Sequence, residues 1–295
     1  MKRFRDKRTG ILSFMDLKSH KGIAVYWLMF AILALMALIC FLPPLWVIIS
    51  SFKSPEELMK VPASLLPEKF DFNKVIDTWN KLGYLRYYWN TAVLAAGSVF
   101  FAVMVNGLAG YVLSCLKPKG SHLVLSLIIW TMLMPNTLSM VPLFKNMVDL
   151  PLIHISLINT FWPMWICAGA GAFNTLLFKN SFDSIPESLI EAAKLDGCSN
   201  LRIFTRIVLP LSIPIIMVVC IFTVNGAWGD FLLPYLVLTE PDKFTVMVHV
   251  FTAKTVMALD VQLLSLVFAI MPPIVLFFVF QRYIIAGATM GGVKE

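Results

Sequence analysis

Charge is what this chain has least of. Asp, Glu, Lys and Arg fill 14% of its 295 positions, against about 25% in ordinary globular domains. The net charge of +7 has no polar domain to gather it into a basic face, which excludes a nucleic-acid-binding role. Five cysteines (Cys40, Cys115, Cys167, Cys198, Cys220) show no C-x-x-C spacing. That argues against a disulfide framework and leaves them as small hydrophobes suited to apolar runs. The four histidines (His20, His122, His154, His249) lack ligand spacing, so no metal site is expected. No G-x-x-x-x-G-K-[ST] loop is present to cradle nucleotide phosphates. H-E-x-x-H, paired intramembrane aspartates and a nucleophile–base constellation are missing too, and with them the means of an intramembrane hydrolase. An ion-coupled carrier usually carries internal repeats and several intramembrane charges; here Asp230 stands nearly alone. No catalytic residue is assigned, and the chain is not expected to be an enzyme.

What is abundant is apolar. Hydrophobic residues make up 59% of the chain and the mean hydropathy is +0.80. Runs at 22–52, 87–116, 207–229 and 261–281 contain no Asp, Glu, Lys, Arg or His, while 121–144 and 150–178 hold only His122 and His154. Each exceeds the ~20 residues that cross a bilayer as a helix. The expectation is an all-α polytopic membrane protein with six transmembrane helices. The first run is too long for a signal-peptide core and reads as an uncleaved anchor. With both termini inside, segments 1–21, 117–120, 179–206 and 282–295 carry fifteen of the 24 Lys and Arg. The bias places them in the cytoplasm. The boundaries follow: a cytoplasmic N-terminal segment at 1–21, a six-helix domain at 22–284 and a tail at 285–295. The largest outer loop is 53–86 and the largest internal polar loop 179–206.

In the outer loop, Phe72, Val75, Ile76, Trp79 and Leu82 recur at helical spacing, predicting a short amphipathic helix that meets either a partner or the lipid interface. In the internal loop, Pro186, Glu187 and Glu191 suit a helix start. Ala192, Ala193, Lys194 and Leu195 favour helix, and Gly197 ends it. A second helix from about Asn200 leads through Ile203, Phe204 and Ile207 towards Pro210 and Pro214. Helix, turn, helix on the cytoplasmic surface fits both an ordinary interhelical loop and a handle for another protein. Polar residues within spans serve function or packing rather than facing lipid. Asn106, Asn136, Asn225, Trp228 and Asp230 are therefore the candidates for a substrate pathway. Asp230 could also be a structural cap, and Asn136 and Asn225 interhelical hydrogen-bonding glue. Gly107, Gly110 and the run Gly169-Ala170-Gly171-Ala172 mark close helix packing, and Pro135, Pro142 and Pro163 are expected kinks.

Glu191-Ala192-Ala193, then Asp196-Gly197, then Ile207-Val208-Leu209-Pro210, with Ile185-Pro186 upstream, resembles the "EAA" signature of permease subunits from bacterial ATP-binding-cassette importers. The Asp-Gly version is similar to the carbohydrate-uptake branch that includes the maltose permeases. Ser51-Phe52-Lys53, Asn90, Gly110-Tyr111, Pro135, Pro142, Asn225, Trp228-Gly229-Asp230-Phe231, Pro234, Gln281-Arg282-Tyr283 and Gly291-Gly292-Val293-Lys294 extend the likeness over nearly the whole chain. It is closest to the smaller, six-span partner of a heterodimeric pair. The resemblance implies the type I importer permease fold in a bacterial inner or plasma membrane. It implies import of a sugar or oligosaccharide, with polyamines or other solutes as the alternative class and a secondary transporter as a remote one. Expected partners are a second permease subunit, two cytoplasmic ATPase subunits, an extracytoplasmic solute-binding protein and membrane lipid. ATP and Mg2+ would sit in the ATPase, with no cofactor on this chain. By the same resemblance, Glu191, Ala192, Ala193, Asp196, Gly197, Leu209 and Pro210 would couple the permease to the ATPase.

Overall fold

The structure, a computed structural model, describes residues 20–62, 64–151 and 153–290, with only the backbone described at 136, 137 and 282–290. The basic cluster Lys2 to Arg8 and the ending Gly291 to Lys294 lie outside the described residues. The described residues contain helices, turns and loops but no strand. In a low-dielectric surround this leaves no backbone group dependent on a neighbouring chain segment for pairing along a sheet edge.

The chain divides into two compact units, residues 1–72 with 259–267, and residues 73–258 with 268–295. The first is dominated by α1 (His20–Ser50), 31 residues long with Pro43 and Pro44 inside it. None of its most apolar stretch is buried. Trp27, Leu28, Leu33 and Met36, spread around the helix at about 100° per residue, are all exposed, as expected of a helix whose solvent is lipid. Beyond it Lys53 is buried, its ammonium 4.5 Å from the Trp46 ring centroid and hydrogen-bonded to the Ser64 carbonyl. A capping box between Ser54 and Glu57 opens the short α2 (Pro55–Met59), and Phe52 packs edge-on against Phe70 and Phe72.

The second unit is built around α4 (Tyr84–Leu116), a 33-residue rod that follows the amphipathic α3 (Phe72–Lys81). The predicted surface helix is thus present. Its Trp79 turns inward onto Tyr84, Tyr88 and Phe268, while Ile76 stays exposed. Two π-turns, Ala102–Asn106 and Val112–Leu116, interrupt α4. Around it lie α5 (Ser121–Leu133), α6 (Asn136–Val148), α7 (Trp162–Gly169), α8 (Ala172–Phe182), α9 (Glu187–Leu195), α10 (Asn200–Leu211), α11 (Ile213–Gly229), α12 (Leu232–Val237) and α13 (Val246–Ala253). The chain closes with α14 (Leu259–Met290).

Three helices are long and apolar enough to cross a membrane by themselves: α1, α4 and the Leu259–Gln281 part of α14. Two bent pairs raise the number to five among the described residues, α5 with α6 at 108° and α10 with α11 at 83°. The sixth apolar run, 150–178, is divided between loop, α7 and the greater part of α8. Gly169-Ala170-Gly171-Ala172 falls at the junction of α7 and α8. Pro135 lies at the α5–α6 bend, and Pro142 sits inside α6. Pro163 opens α7 rather than kinking it, occupying the first turn where a missing N–H costs nothing.

Close approach explains two glycines. A Cβ on Gly110 would stand 2.8 Å from Phe178 Cβ and 3.0 Å from the Lys179 amide, so α4 and α8 cross there almost backbone to backbone. A Cβ on Gly97 would fall 2.2 Å from the Trp165 indole, which donates Nε1–H to the Leu94 carbonyl at 3.0 Å. One end of this unit is laced together by polar contacts. Arg86 pairs with Asp242, Asn90 donates to the Asp242 and Phe244 carbonyls at 2.8 and 3.0 Å, and Lys243 donates to the Asn159 carbonyl at 3.1 Å.

Candidate functional site

The polar insert forms a helical hairpin whose two sides face different surroundings. Pro186 leads into α9, with Glu187 in its first turn and Lys194 in its last, each complementing the helix dipole. At Gly197 the backbone is left-handed, φ +77°. Its amide bonds to the Lys194 carbonyl and that of Cys198 to the Ala193 carbonyl, both at 3.0 Å. These two bonds are the Schellman closure that favours glycine. Ser199 then caps α10, its hydroxyl accepting from the Arg202 amide at 3.4 Å.

Ile190 and Ala193 of α9 and Ile203, Phe204 and Val208 of α10 are buried in one cluster with Ala102, Val103, Tyr111, Phe178, Phe182 and Val219. The opposite side carries Glu191, Ala192 and Asp196, all exposed, with Leu195 at 89% and Leu201 at 64% exposure. Two bare leucines beside two carboxylates and an alanine form a mixed apolar and acidic surface. Ala193 belongs to the root rather than to that surface. Leu209 is half-buried against the same core, and Pro210 is exposed in the last turn of α10.

Polar contacts that the sequence reading did not single out surround the root. Lys117 Nζ donates to Glu187 Oε1 at 2.9 Å. Ser114 Oγ donates to Asp183 Oδ1 at 2.7 Å, and Lys179 Nζ to Asp183 Oδ2 at 2.6 Å. Only the i,i+4 spacing of Lys179 and Asp183 was a signal visible beforehand. The Lys117 hydrogen bond and charge hold the Glu187 carboxyl below its usual range and raise the lysine in turn. Burial pushes the Asp183 carboxyl up, but hydrogen bonds from Lys179 and Ser114 outweigh it and leave it lowered. A polar cleft of about 490 Å³ lies among these groups, with Glu191 and Lys194 on its wall.

The four pathway candidates whose side chains are described lie in different surroundings. Asn106 is buried, donating to the Ala168 carbonyl at 2.9 Å and accepting from Thr175 Oγ1 at 3.1 Å. It therefore satisfies a carbonyl in the last turn of α7 and fastens α8. Trp228 is buried, donates Nε1–H to the Ala269 carbonyl at 3.0 Å and meets Tyr88 edge-on. Asn225 is exposed and lines a mainly apolar cavity of about 190 Å³ between α11 and α14. The side chain of Asn136 lies outside the described residues. Asp230 is half-buried at the C-terminal end of α11, one residue ahead of the Phe231 N-cap of α12. It also lines a cavity of about 250 Å³ together with Ser98, Asn174 and Thr223. Ser98 and Asn174 come from α4 and α8, whereas Thr223 lies seven residues before Asp230, two turns back along α11.

A family model described as binding-protein-dependent transport system inner membrane component matches residues 106–289. The arabinooligosaccharides transport system permease protein AraQ of Halalkalibacterium halodurans is 30% identical over 273 residues, covering 91% of this chain and 96% of that protein. The galactooligosaccharides transport system permease protein GanQ of Bacillus subtilis is also 30% identical, over 95% of this chain and 99% of its own. Among solved structures, a chain of a bacterial ABC transporter involved in import of the acidic polysaccharide alginate superimposes with a TM-score of 0.76 at 24% identity. It covers 90% of this chain and 98% of that one, and the likeness bears on the fold.

Proposed function

The chain belongs to the binding-protein-dependent transport system inner membrane components, and from that premise we propose that it is one permease subunit of an ATP-driven oligosaccharide importer. Relatives named for arabino-oligosaccharide and galacto-oligosaccharide transport support the substrate class. They differ in the sugar, so the class extends to oligosaccharides and no further. In this reading a second permease subunit completes the translocation path with the six-span arrangement expected of each. An extracytoplasmic binding protein delivers the sugar, and two cytoplasmic ATPase subunits hold ATP and Mg2+. Both termini lie in the cytoplasm.

The observation that carries the reading is the two-sided hairpin. A surface of Glu191, Ala192, Leu195 and Asp196 stands exposed on a root of Ile190, Ala193, Ile203, Phe204 and Val208 sunk into the core. A partner gripping the exposed side pulls on residues packed directly against α4, α8 and α11. Glu191 supplies charge, Ala192 close approach, and Asp196-Gly197 the turn. Leu209-Pro210 joins α10 to the bend before α11. ATP binding closes the ATPase dimer and draws the docked hairpins together. The spans then move as rigid bodies from inward-facing to outward-facing, and hydrolysis resets them. The driving free energy is the difference in ATP affinity between the two states.

Asp230 with Ser98, Asn174 and Thr223 offers a wall of four polar side chains for passing hydroxyl groups. Asn225 and Trp228 are further contact positions, and Asn106 holds the frame.

Gly197→Asp tests the docking. The variant is expected to insert normally in the membrane and to lose both copurifying ATPase and sugar uptake. Retained copurification with normal uptake would sink the docking role.

A further inference from the structure

Lys117 occupies a backbone position that asks for glycine. It sits at φ +42°, in the left-handed region where an L side chain is strained and glycine is not. Its amide closes the second π-turn onto the Val112 carbonyl at 2.9 Å, and the chain reverses through Pro118 and Gly120 into α5. Glycine would satisfy all of that. What lysine adds is an ammonium group 2.9 Å from Glu187, the first residue of α9. Both side chains are largely exposed, so the pair contributes little to stability. A strained residue whose ion pair is worth little to the fold calls for another reason to be there.

The place of the contact supplies one. Four residues, 183–186, join α8 to α9. Their near end is tied to α4 through Ser114 and Asp183, and their far end through Lys117 and Glu187. Between the ties lies the cleft of about 490 Å³, so α9 has room to tilt about its buried side if the far tie is cut.

We propose that Lys117 and Glu187 are a steering pair: positioning residues that fix the angle of α9 against the inner end of α4, so that force on the docked hairpin moves α4 instead of bending 183–186. The inference rests on the docking reading of α9.

The test uses the whole complex, both permeases with ATPase subunits and binding protein in nanodiscs, and reads phosphate release with and without the binding protein. Lys117→Gly relieves the backbone strain, so its melting temperature is expected to match or exceed that of the parent. Lys117→Glu is expected to keep its ATPase subunits. In both variants stimulation by the binding protein is expected to fall roughly three- to fivefold, the scale of one exposed ion pair. Lys117→Arg, and Lys117→Glu combined with Glu187→Lys, are expected to recover stimulation to within about twofold of the parent. Full stimulation in Lys117→Gly, or a charge swap no better than Lys117→Glu, would overturn the steering pair. Loss of ATPase subunits from Lys117→Glu would overturn it too, by making Lys117 a docking contact. Failure of the docking reading is seen separately, as a Gly197→Asp complex that keeps its ATPase and its uptake.

Discussion

Ala192 and Ala193 are the same residue in opposite surroundings, the first exposed and the second at 7% exposure in the core, because neighbours on a helix point about 100° apart. The short motif supplies both a contact for a partner and an anchor for itself. His249 shows how surroundings also set chemistry. Its ring stacks on Tyr87 with centroids 3.9 Å apart, and Tyr84 meets it edge-on at 5.3 Å. Burial pushes its pKa from 6.5 down to about 4. A histidine kept neutral by folding stabilises the protein fully above its unfolded pKa and loses that contribution as pH falls towards the folded value. Between pH 6.5 and about 4, acidification should therefore cost up to about 3 kcal/mol. Melting curves of the purified protein across that range test this. The parent's midpoint should fall more steeply than that of His249→Gln, and parallel slopes would show that His249 contributes nothing.

Helix crossings give a sharper test of packing, since two glycines one turn apart on α4 meet different neighbours. A Cβ on Gly110 strikes Phe178 and the Lys179 backbone at 2.8 and 3.0 Å. Gly110→Ala should destabilise by about 1–3 kcal/mol. A Cβ on Gly107 meets only the Phe204 ring, at 3.5 Å, so Gly107→Ala should be neutral or gain about 0.5–1 kcal/mol of helix propensity. Thermal unfolding in detergent distinguishes the two, and equal effects would contradict the crossing geometry. Much at this scale was legible beforehand. The helical hairpin, its glycine turn and the amphipathic helix that begins at Phe72 all followed from spacing and turn chemistry. The divided run at 150–178 was not legible, because hydropathy counts apolar residues and is blind to where backbone pairing stops. The described pathway candidates sit in different surroundings for a related reason. A polar side chain inside a span needs a hydrogen-bond partner whatever its role, and Asn106 and Trp228 have found theirs in backbone carbonyls. The cavity beside Asp230 draws on Thr223, two turns back along α11, and on Ser98 and Asn174 of α4 and α8, which packing alone brings there.

For the molecule as a whole, an apolar surface that the described residues leave uncovered defines the surroundings it needs. The most apolar stretch of α1 is wholly unburied, and α5 has no buried residue, which fits lipid or partner helices around them. Orientation can be read in a variant lacking the five native cysteines. Ile76→Cys, on the proposed outer helix, should react with an impermeant maleimide in cells stripped of their wall. Ala192→Cys should react only after permeabilisation. The opposite pattern would reverse the proposed topology.

The two π-turns of α4 also bear on how such a helix can change in length. Each holds one residue more than an α-helical turn requires. Removing that surplus would leave an unbroken α-helix with the faces on either side still pointing as before. Anywhere else along the rod, losing one residue would swing everything beyond it by about 100°, carrying Gly110 away from Phe178. The stretches Ala102–Asn106 and Val112–Leu116 are thus the places where a lineage of such chains could gain or shed a residue without refitting the bundle.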